Sequence, residues 1–291
     1  MFFRKHITAI NNRDEKTDKR QFLRNLLFRL VIPSVVFSII EFIPSNVLQQ
    51  RDLTILSFID KTIWGRTYWF VSALVVAELF LFISMQTKSK NMLFYLVISM
   101  AAFYTGQFLA EKKFYLLGPF SSYPWEAEKG LMATVFLVLG GIYWKYENKI
   151  DIWLMKPYVA GFLLLIYLLA ISLFHNHIKV LISMDSINMY GIAISSIGIV
   201  LLATLSKLLR VTNAVTKQLD VIGRNTIGFY FVCGAIPKVL MLLLPRILPS
   251  ANLPYMIFGF VLSFALAYVV VVIMNKYFRF LFDLRNGFKH K

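Results

Sequence analysis

Long apolar runs dominate this sequence and leave few folds open to it. A helix needs about 20 apolar residues to cross a bilayer, and eight runs approach that length near residues 28–44, 68–85, 92–110, 130–144, 157–174, 188–205, 225–243 and 255–274. With 58% hydrophobic residues, the chain must meet lipid over much of its length. The pattern predicts an all-α, polytopic transmembrane helix bundle with about eight spans.

The first run contains a proline near its start. Pro33 falls early in 28–44, where a proline costs least because the first helical N–H groups have no partners. Pro33 is therefore compatible with a first span near 28–44.

The distribution of positive charge predicts the topology. A cytoplasmic amino end places about 22 of the 31 Lys and Arg residues on the inner side, as the positive-inside rule requires. Both termini are then cytoplasmic, as basic segments at 1–27 and 275–291 that flank a transmembrane domain at 28–274. We assign the basic residues to topology and anionic lipid, not to nucleic acid, because no zinc-finger spacing, aromatic RNA-binding pattern or glycine-rich phosphate loop is present.

A carboxylate interrupts the apolar run in TYWFVSALVVAELF. If Trp69 lies at the outer interface, Glu78 is about 14 Å deeper, near the middle of the bilayer core. A charge there costs at least about 2.5 kcal/mol, so it normally faces the bundle interior, a partner or water. Two interpretations stay open, namely a polar site in the bundle and a structural carboxylate that is paired or protonated.

Two arginines lie at predicted cytoplasmic helix ends. Arg29 opens the first run and Arg224 opens the seventh. Either one alone is explained by interfacial anchoring, but guanidinium groups also bind phosphates bidentately. Together they indicate a cytoplasm-facing vestibule for an anionic ligand. Lys238, near the far end of the seventh run, is interpreted as snorkelling outward.

Four segments resemble the membrane acyltransferase 3 family. FLRNLLFRLVIPS resembles the basic helix entry of that family, and TYWFVSALVVAELF resembles its Trp-Phe…Ala-Leu helix. GLMATVFLVLGGIYWKYENK, with Phe136 and Gly140, is similar to its Phe-x-x-x-Gly segment. LDVIGRNTIGFYFVCG resembles its Gly-Lys/Arg-Asn-Ser/Thr…Tyr helix. The four segments occur in the family's order over about 20–235.

This resemblance implies a function. Members of the family are multi-pass enzymes of the bacterial inner membrane that transfer acyl groups, commonly acetyl from cytosolic acetyl-CoA, to sugar hydroxyls of cell-surface polysaccharides. The resemblance implies acyl-CoA as donor substrate, no bound cofactor, and membrane lipid and a sugar or polysaccharide as partners. It assigns Arg29 and Arg224 to the phosphates or thioester region of acyl-CoA. Glu78 and Asn225 are assigned to positioning or hydrogen bonding.

Three aromatic residues are further candidates. Trp69 and Tyr230 are interpreted as packing or interface residues, although either could stack on a sugar ring. Trp125 lies in the predicted outer loop at 114–130, which could bind a glycan or rest on the membrane surface. Pro119 and Pro124 argue against a continuous helix in this loop.

The family takes its general base from a histidine in its first helix, and no histidine here replaces it. His6 and His290 lie in polar termini, and His175 and His177 lie in a predicted outer loop, so neither a catalytic base nor a metal site is assigned. Cys233 stands where many relatives have histidine. The opening MFFRK resembles the end of the family's second helix, so two helices of the family pattern are missing. We expect either a longer native protein or an inactive one.

Other function classes also fit a basic, aromatic-rich membrane protein. A polysaccharide export or flippase component should carry ionisable residues along a path through several helices. A secondary transporter should show internal repeats with broken helices in matching positions, and no such repeat is evident. A non-enzymatic scaffold for polysaccharide synthesis would need none of the polar residues.

Overall fold

A computed structural model of the protein describes residues 19–48, 53–87, 89, 91–116, 123–173, 189–208, 222–223, 225–234, 236–237, 239–240 and 253–277. The regular structure of these residues is helical. They form two compact units. Unit 1 consists of the described residues within Ala73–Val211, and unit 2 consists of those within Lys19–Ser72 and Thr212–Lys291.

The helices of the described residues are α1 (Lys19–Leu26), α2 (Ile32–Leu48), α3 (Ile55–Phe58), α4 (Trp69–Met85), α5 (Met92–Leu116), α6 (Ala127–Lys145), α7 (Glu147–Leu154), α8 (Pro157–Leu173), α9 (Met189–Leu208), α10 (Thr226–Cys233) and α11 (Leu253–Tyr277). Two π-helical segments, Leu27–Val31 and Ile59–Ile63, and a 3₁₀ turn at Pro124–Glu126 complete the set. The division between the two units falls inside α4, between Ser72 and Ala73.

The first span begins well before its proline. The helix is continuous from α1 through Leu27–Val31 into α2, so Pro33 lies in its interior and not in its first turn. The Ile32 N–H donates to the Leu27 carbonyl oxygen, five residues back. This π-helical register ends just before the proline, where it accommodates a residue that has no N–H to donate without breaking the helix.

Four helices of the described residues are long and apolar enough to cross a membrane: Lys19–Val47, Met92–Lys112, Tyr190–Leu208 and Met256–Tyr277. The pair α7 and α8 is a fifth candidate when taken together. The apolar α4 is shorter, at 17 residues. These helices confirm a multi-pass helical membrane protein. The number of eight spans and the cytoplasmic position of both termini stay predictions, and residues 235, 238 and 241–243 of the run at 225–243 lie outside the described residues.

A sharp bend separates α7 from α8. The two helices meet at 87°, so α7 runs along the membrane surface if α8 crosses the bilayer. Ile152 and Trp153 of α7 are exposed, and the Lys156 ammonium group lies 4.3 Å from the centre of the Trp153 indole ring. Exposed Trp and Lys side chains together are typical of an interfacial helix.

An ion pair joins the end of α9 to α7. The Lys207 ammonium group donates to the Asp151 carboxylate, which also accepts a hydrogen bond from the Tyr143 hydroxyl at 2.7 Å. Both charged side chains are half-buried, with 27% of Lys207 and 17% of Asp151 exposed. Because the two charges and the hydroxyl satisfy one another, the group joins α6, α7 and α9 within unit 1.

Glycines bring the helices of unit 1 into close contact. A Cβ atom at Gly106 of α5 would lie 2.5 Å from the Glu128 carbonyl oxygen of α6, and a Cβ atom at Gly130 would lie 2.6 Å from Val76 Cβ of α4. Neither approach leaves room for a methyl group. Phe103 and Met132 fill the core beside these contacts. In lipid, close packing of this kind is a main source of helix association.

We expect Gly130→Ala to destabilise the protein by about 1–3 kcal/mol, because the added methyl group forces α4 and α6 apart. Gly140→Ala is the matched control on the same helix, since a Cβ atom there meets nothing within 4 Å. The measurement is thermal unfolding of both variants in detergent. Equal melting temperatures for the two variants would show that α4 and α6 do not pack through Gly130.

We also expect Lys207→Met to destabilise the protein by about 1 kcal/mol, because the half-buried Asp151 loses its charged donor and keeps only the Tyr143 hydroxyl. Lys149→Met is the control, since Lys149 is an exposed residue of α7. Thermal unfolding in detergent measures both variants. A loss of stability as large for Lys149→Met as for Lys207→Met would contradict the specific role of the Lys207–Asp151 pair.

Candidate active site

A carboxylate lies inside the first span, in unit 2. Glu41 of α2 is only 7% exposed, although the span that contains it is among the most apolar helices of the chain. The Tyr68 hydroxyl, on a side chain 3% exposed, donates to Glu41 Oε2 at 2.7 Å. An ionisable side chain buried inside a membrane helix and bound by a specific donor identifies a candidate functional site.

A turn before α4 brings Tyr68 to this position. Gly65 adopts a φ of 80°, a left-handed conformation that glycine takes without steric cost. The Ser72 hydroxyl donates to the Gly65 carbonyl oxygen at 2.7 Å, and the Thr67 hydroxyl donates to the Lys61 carbonyl oxygen at 2.9 Å. The hydrogen bonds of Thr67 and Ser72 lie on either side of Tyr68 in the sequence and fix the backbone that carries it.

Helix α10 forms another side of the site. The Phe231 ring stacks on Phe37 at 4.6 Å between ring centres and meets Tyr68 edge to face at 4.8 Å. The Phe231 carbonyl oxygen also lies 3.1 Å from the Tyr68 hydroxyl. A Cβ atom at Gly234, at the end of α10, would lie 3.7 Å from Glu41 Oε2. Glycine at this position adds no side chain of its own beside the carboxylate.

Further polar groups share the face of α2 that carries Glu41. Ser34, Ser38 and Glu41 follow a spacing of four and three residues, which places them on one helix face, and all three are buried. Among the described residues, no group hydrogen-bonds to the Ser38 hydroxyl. Ser34, Ser38 and Glu41 thus form a polar strip along this helix. Asn46, five residues beyond Glu41 and about 140° round the helix from it, is fully buried and accepts a hydrogen bond from the Lys61 ammonium group.

Of the four residues predicted to bind substrate or acyl-CoA, the structure describes Arg29, Glu78 and Asn225. Arg29 is half-buried in the π-helical segment of the same span, twelve residues before Glu41, which corresponds to about 18 Å along a helix. Asn225 is half-buried at the start of α10, and its carbonyl oxygen accepts from the Phe229 N–H at 3.0 Å. Arg224 lies outside the described residues.

Glu78 belongs to the other unit. It lies in the middle of α4 and is 6% exposed. Arg29 and Asn225 belong to unit 2. The grouping of these residues around one ligand therefore stays a prediction.

The predicted aromatic residues of unit 2 pack against their neighbours. Tyr230 accepts a hydrogen bond from the Phe70 N–H at 3.3 Å, and its ring lies 5.6 Å from the Phe70 ring and 5.9 Å from the Tyr68 ring. Trp69 is half-buried and meets Phe70 edge to face. These contacts support the packing interpretation, while stacking on a sugar stays a prediction.

Trp125 occupies an unusual backbone conformation in unit 1. It has a φ of 57°, and Glu126 beside it has a φ of 50°, a region that non-glycine residues rarely adopt. Pro124 begins the short turn that contains them, which ends before α6. The Glu126 carboxylate lies 2.8 Å from the Lys129 ammonium group and holds the turn on α6. Pro119 lies outside the described residues.

The histidines and Lys238 lie outside the part of the chain that the structure describes. Within that part, no group of three His, Cys, Asp or Glu side chains could hold a metal ion. Cys233 is an exposed free thiol at the end of α10.

Glu41 and Tyr68 were not predicted from the sequence as site residues. Glu41 carried the same signal as Glu78, a carboxylate in a long apolar run, and could have been found by the same energetic argument. Tyr68 carried no signal, because its contact with Glu41 joins residues 27 positions apart.

Comparison with known proteins identifies the family. A family model described as an acyltransferase domain, Acyl_transf_3, matches residues 6–272. No curated protein and no solved structure matches the chain. Since the family model covers most of the sequence, the chain belongs to the acyltransferase 3 family and is a membrane acyltransferase for acyl groups other than amino-acyl groups.

Proposed function

We propose that this acyltransferase transfers acetyl from cytosolic acetyl-CoA to a sugar hydroxyl of a cell-surface polysaccharide or its precursor, in the bacterial inner membrane. The donor, the acceptor and the membrane are those that the sequence resemblance implies. The observation that supports transfer to a hydroxyl is the buried polar strip of α2 with the Glu41–Tyr68 pair. Such groups at membrane depth are costly and are retained where a polar substrate or proton must be handled.

The reaction sets three demands on the protein. A sugar hydroxyl is a weak nucleophile at neutral pH, so its proton must be accepted as it attacks the thioester carbonyl carbon. The carbonyl oxygen gains negative charge and needs hydrogen-bond donors. The C–S bond then breaks, and the CoA thiolate is protonated. Arg29 and Arg224 are proposed to bind the CoA phosphates, with Glu78 and Asn225 positioning the substrates.

The position of Arg29 suits a bound acyl-CoA. With a cytoplasmic amino end, Arg29 lies near the inner membrane surface and Glu41 lies about 18 Å deeper along the same helix. The phosphates of acyl-CoA are at one end of a long flexible arm and the thioester is at the other. Phosphates bound at Arg29 would allow the thioester to reach the depth of Glu41.

Arg29→Gln should raise the KM for acetyl-CoA by about 10-fold to 100-fold, because a charged hydrogen-bond donor to phosphate is lost. Arg20→Gln is the matched control, since Arg20 is an exposed residue of α1. The measurement is acetyl transfer from radiolabelled acetyl-CoA to extracted polysaccharide, in membranes containing each variant.

Deletion of the gene tests the proposed function itself. Deletion of the gene should abolish O-acetylation of the surface polysaccharide, measured by proton NMR, and the wild-type gene should restore it. Unchanged O-acetylation after deletion would reject this acceptor. An unchanged KM in Arg29→Gln would reject only the assignment of Arg29 to the phosphates.

A further inference from the structure

We propose that α7 and the bend after it form a binding site for an anionic phospholipid. The headgroup phosphate binds Lys149 and Lys156, and an acyl chain lies along α8. This inference goes beyond the proposed function, because it assigns a lipid ligand to a surface that takes no part in acyl transfer. It is carried by the separation of charge across α7, the aromatic rings around Lys156 and the exposed apolar side of α8.

The acidic residues of α7 lie on its inner face. Glu147, Asp151 and Leu154 follow a spacing of four and three residues, which places them on one side of the helix. Leu154 is buried. The Lys207 ammonium group of α9 pairs with Asp151 and lies 3.8 Å from Glu147 Oε1. Both carboxylates of α7 are therefore paired with a lysine of a neighbouring helix in unit 1.

The opposite face of α7 carries positive charge. Lys149, Ile152 and Trp153 occupy positions i, i+3 and i+4 of this face, and all three are exposed. The Lys156 ammonium group lies 4.3 Å from the centre of the Trp153 ring, so its charge is on the same side. Within the part of the chain that the structure describes, neither Lys149 nor Lys156 forms an ion pair. We call these four residues the outward face.

Aromatic rings fix the position of Lys156. Its ammonium group lies 4.3 Å from the centre of the Trp153 ring and 5.8 Å from that of Tyr158, and both rings are exposed. Exposed Trp and Tyr rings at a membrane surface prefer the level of the lipid headgroups. An ammonium group held by such rings is therefore placed at the depth of the headgroup phosphates, and its N–H donors suit phosphate oxygens.

Helix α8 provides a surface for the acyl chain. Exposed apolar side chains follow one side of this helix at spacings of four, three and four residues, namely Tyr158, Phe162, Leu165 and Leu169. The two helices meet at 87°, so α7 lies in the membrane surface when α8 crosses the bilayer. A phospholipid has the same arrangement, with its headgroup in the surface and its chains along the bilayer normal. The apolar side of α8 begins at Tyr158, beside Lys156.

Charge and chain length select the ligand. A lysine near a membrane surface strengthens the binding of anionic lipid by about 5-fold, whereas a zwitterionic headgroup offers no net charge to the outward face. The phosphates of acetyl-CoA are a second source of negative charge, but acetyl-CoA has no long chain to cover the apolar side of α8. An anionic phospholipid satisfies both surfaces at once.

The test uses the full-length protein in phosphatidylcholine nanodiscs that contain a trace of a phospholipid with a diazirine in its acyl chain. The probe is phosphatidylglycerol in one sample and phosphatidylcholine in the other. After irradiation, peptide mass spectrometry measures the label on α7 and α8, and the labelling ratio of the two probes gives the selectivity for the anionic lipid. We expect a ratio of about 25 in the wild type, from two lysines at about 5-fold each.

Variants assign the selectivity to the outward face. Lys149→Gln combined with Lys156→Gln should lower the labelling ratio by about 10-fold to 30-fold, and the corresponding pair of arginine substitutions should retain most of it, because the charge is kept. The matched control is Lys19→Gln combined with Lys276→Gln, which removes two exposed lysines of unit 2 and should leave the ratio unchanged. If the first pair does not fold, Lys149→Gln alone, at an exposed side chain, should lower the ratio by about 5-fold.

Several results would overturn the site. A wild-type labelling ratio near one would do so, and so would an unchanged ratio in the variant that lacks Lys149 and Lys156. An equal fall in the control variant would show a general attraction of lipid to the basic surface. A raised KM for acetyl-CoA with an unchanged ratio would assign the outward face to CoA. Lipid labelling does not require acyl transfer, so the proposed function is tested separately.

Discussion

A charged or polar side chain inside the hydrocarbon core of a membrane needs partners within the protein, because lipid offers none. In unit 2, this requirement ties Glu41 to Tyr68 and Asn46 to Lys61. The turn at Gly65 and the stacked ring of Phe231 serve the first of these contacts by holding Tyr68 in place. Much of the local geometry of unit 2 thus follows from one buried carboxylate.

In unit 1, close contacts between helices are the main feature. Its helices approach through Gly106 and Gly130, since van der Waals contact replaces the hydrophobic effect between helices in lipid. Two of the charged contacts among its described residues involve helix ends, where Lys207 meets Asp151 and Lys129 meets Glu126. Membership of the acyltransferase 3 family favours an enzyme over the export, transport and scaffold alternatives.

The amino-acid sequence predicts the helical membrane fold well, because long apolar runs have few alternatives in a bilayer. It also locates Glu78 inside its helix. It does not predict the continuation of the first span through Pro33, since the π-helical segment before the proline has no composition signal. The left-handed backbone of Trp125 has no signal in the sequence. Pro157 at the start of α8 marks a helix boundary, but the 87° angle between α7 and α8 does not follow from it. The Glu41–Tyr68 contact joins residues 27 positions apart, so the sequence does not predict it. Glu41 alone could have been identified as a carboxylate in a long apolar run.

The central claim is that acyl transfer takes place beside Glu41 and Tyr68 in unit 2. The most direct measurement is photolabelling of native membranes with an acyl-CoA analogue that carries a diazirine in its acyl group, followed by peptide mass spectrometry. The account predicts labelled peptides from α2 and from residues 65–72, with labelling suppressed by excess acetyl-CoA. Label confined to α5, α6, α8 and α9 of unit 1, and suppressed by the same competitor, would contradict it.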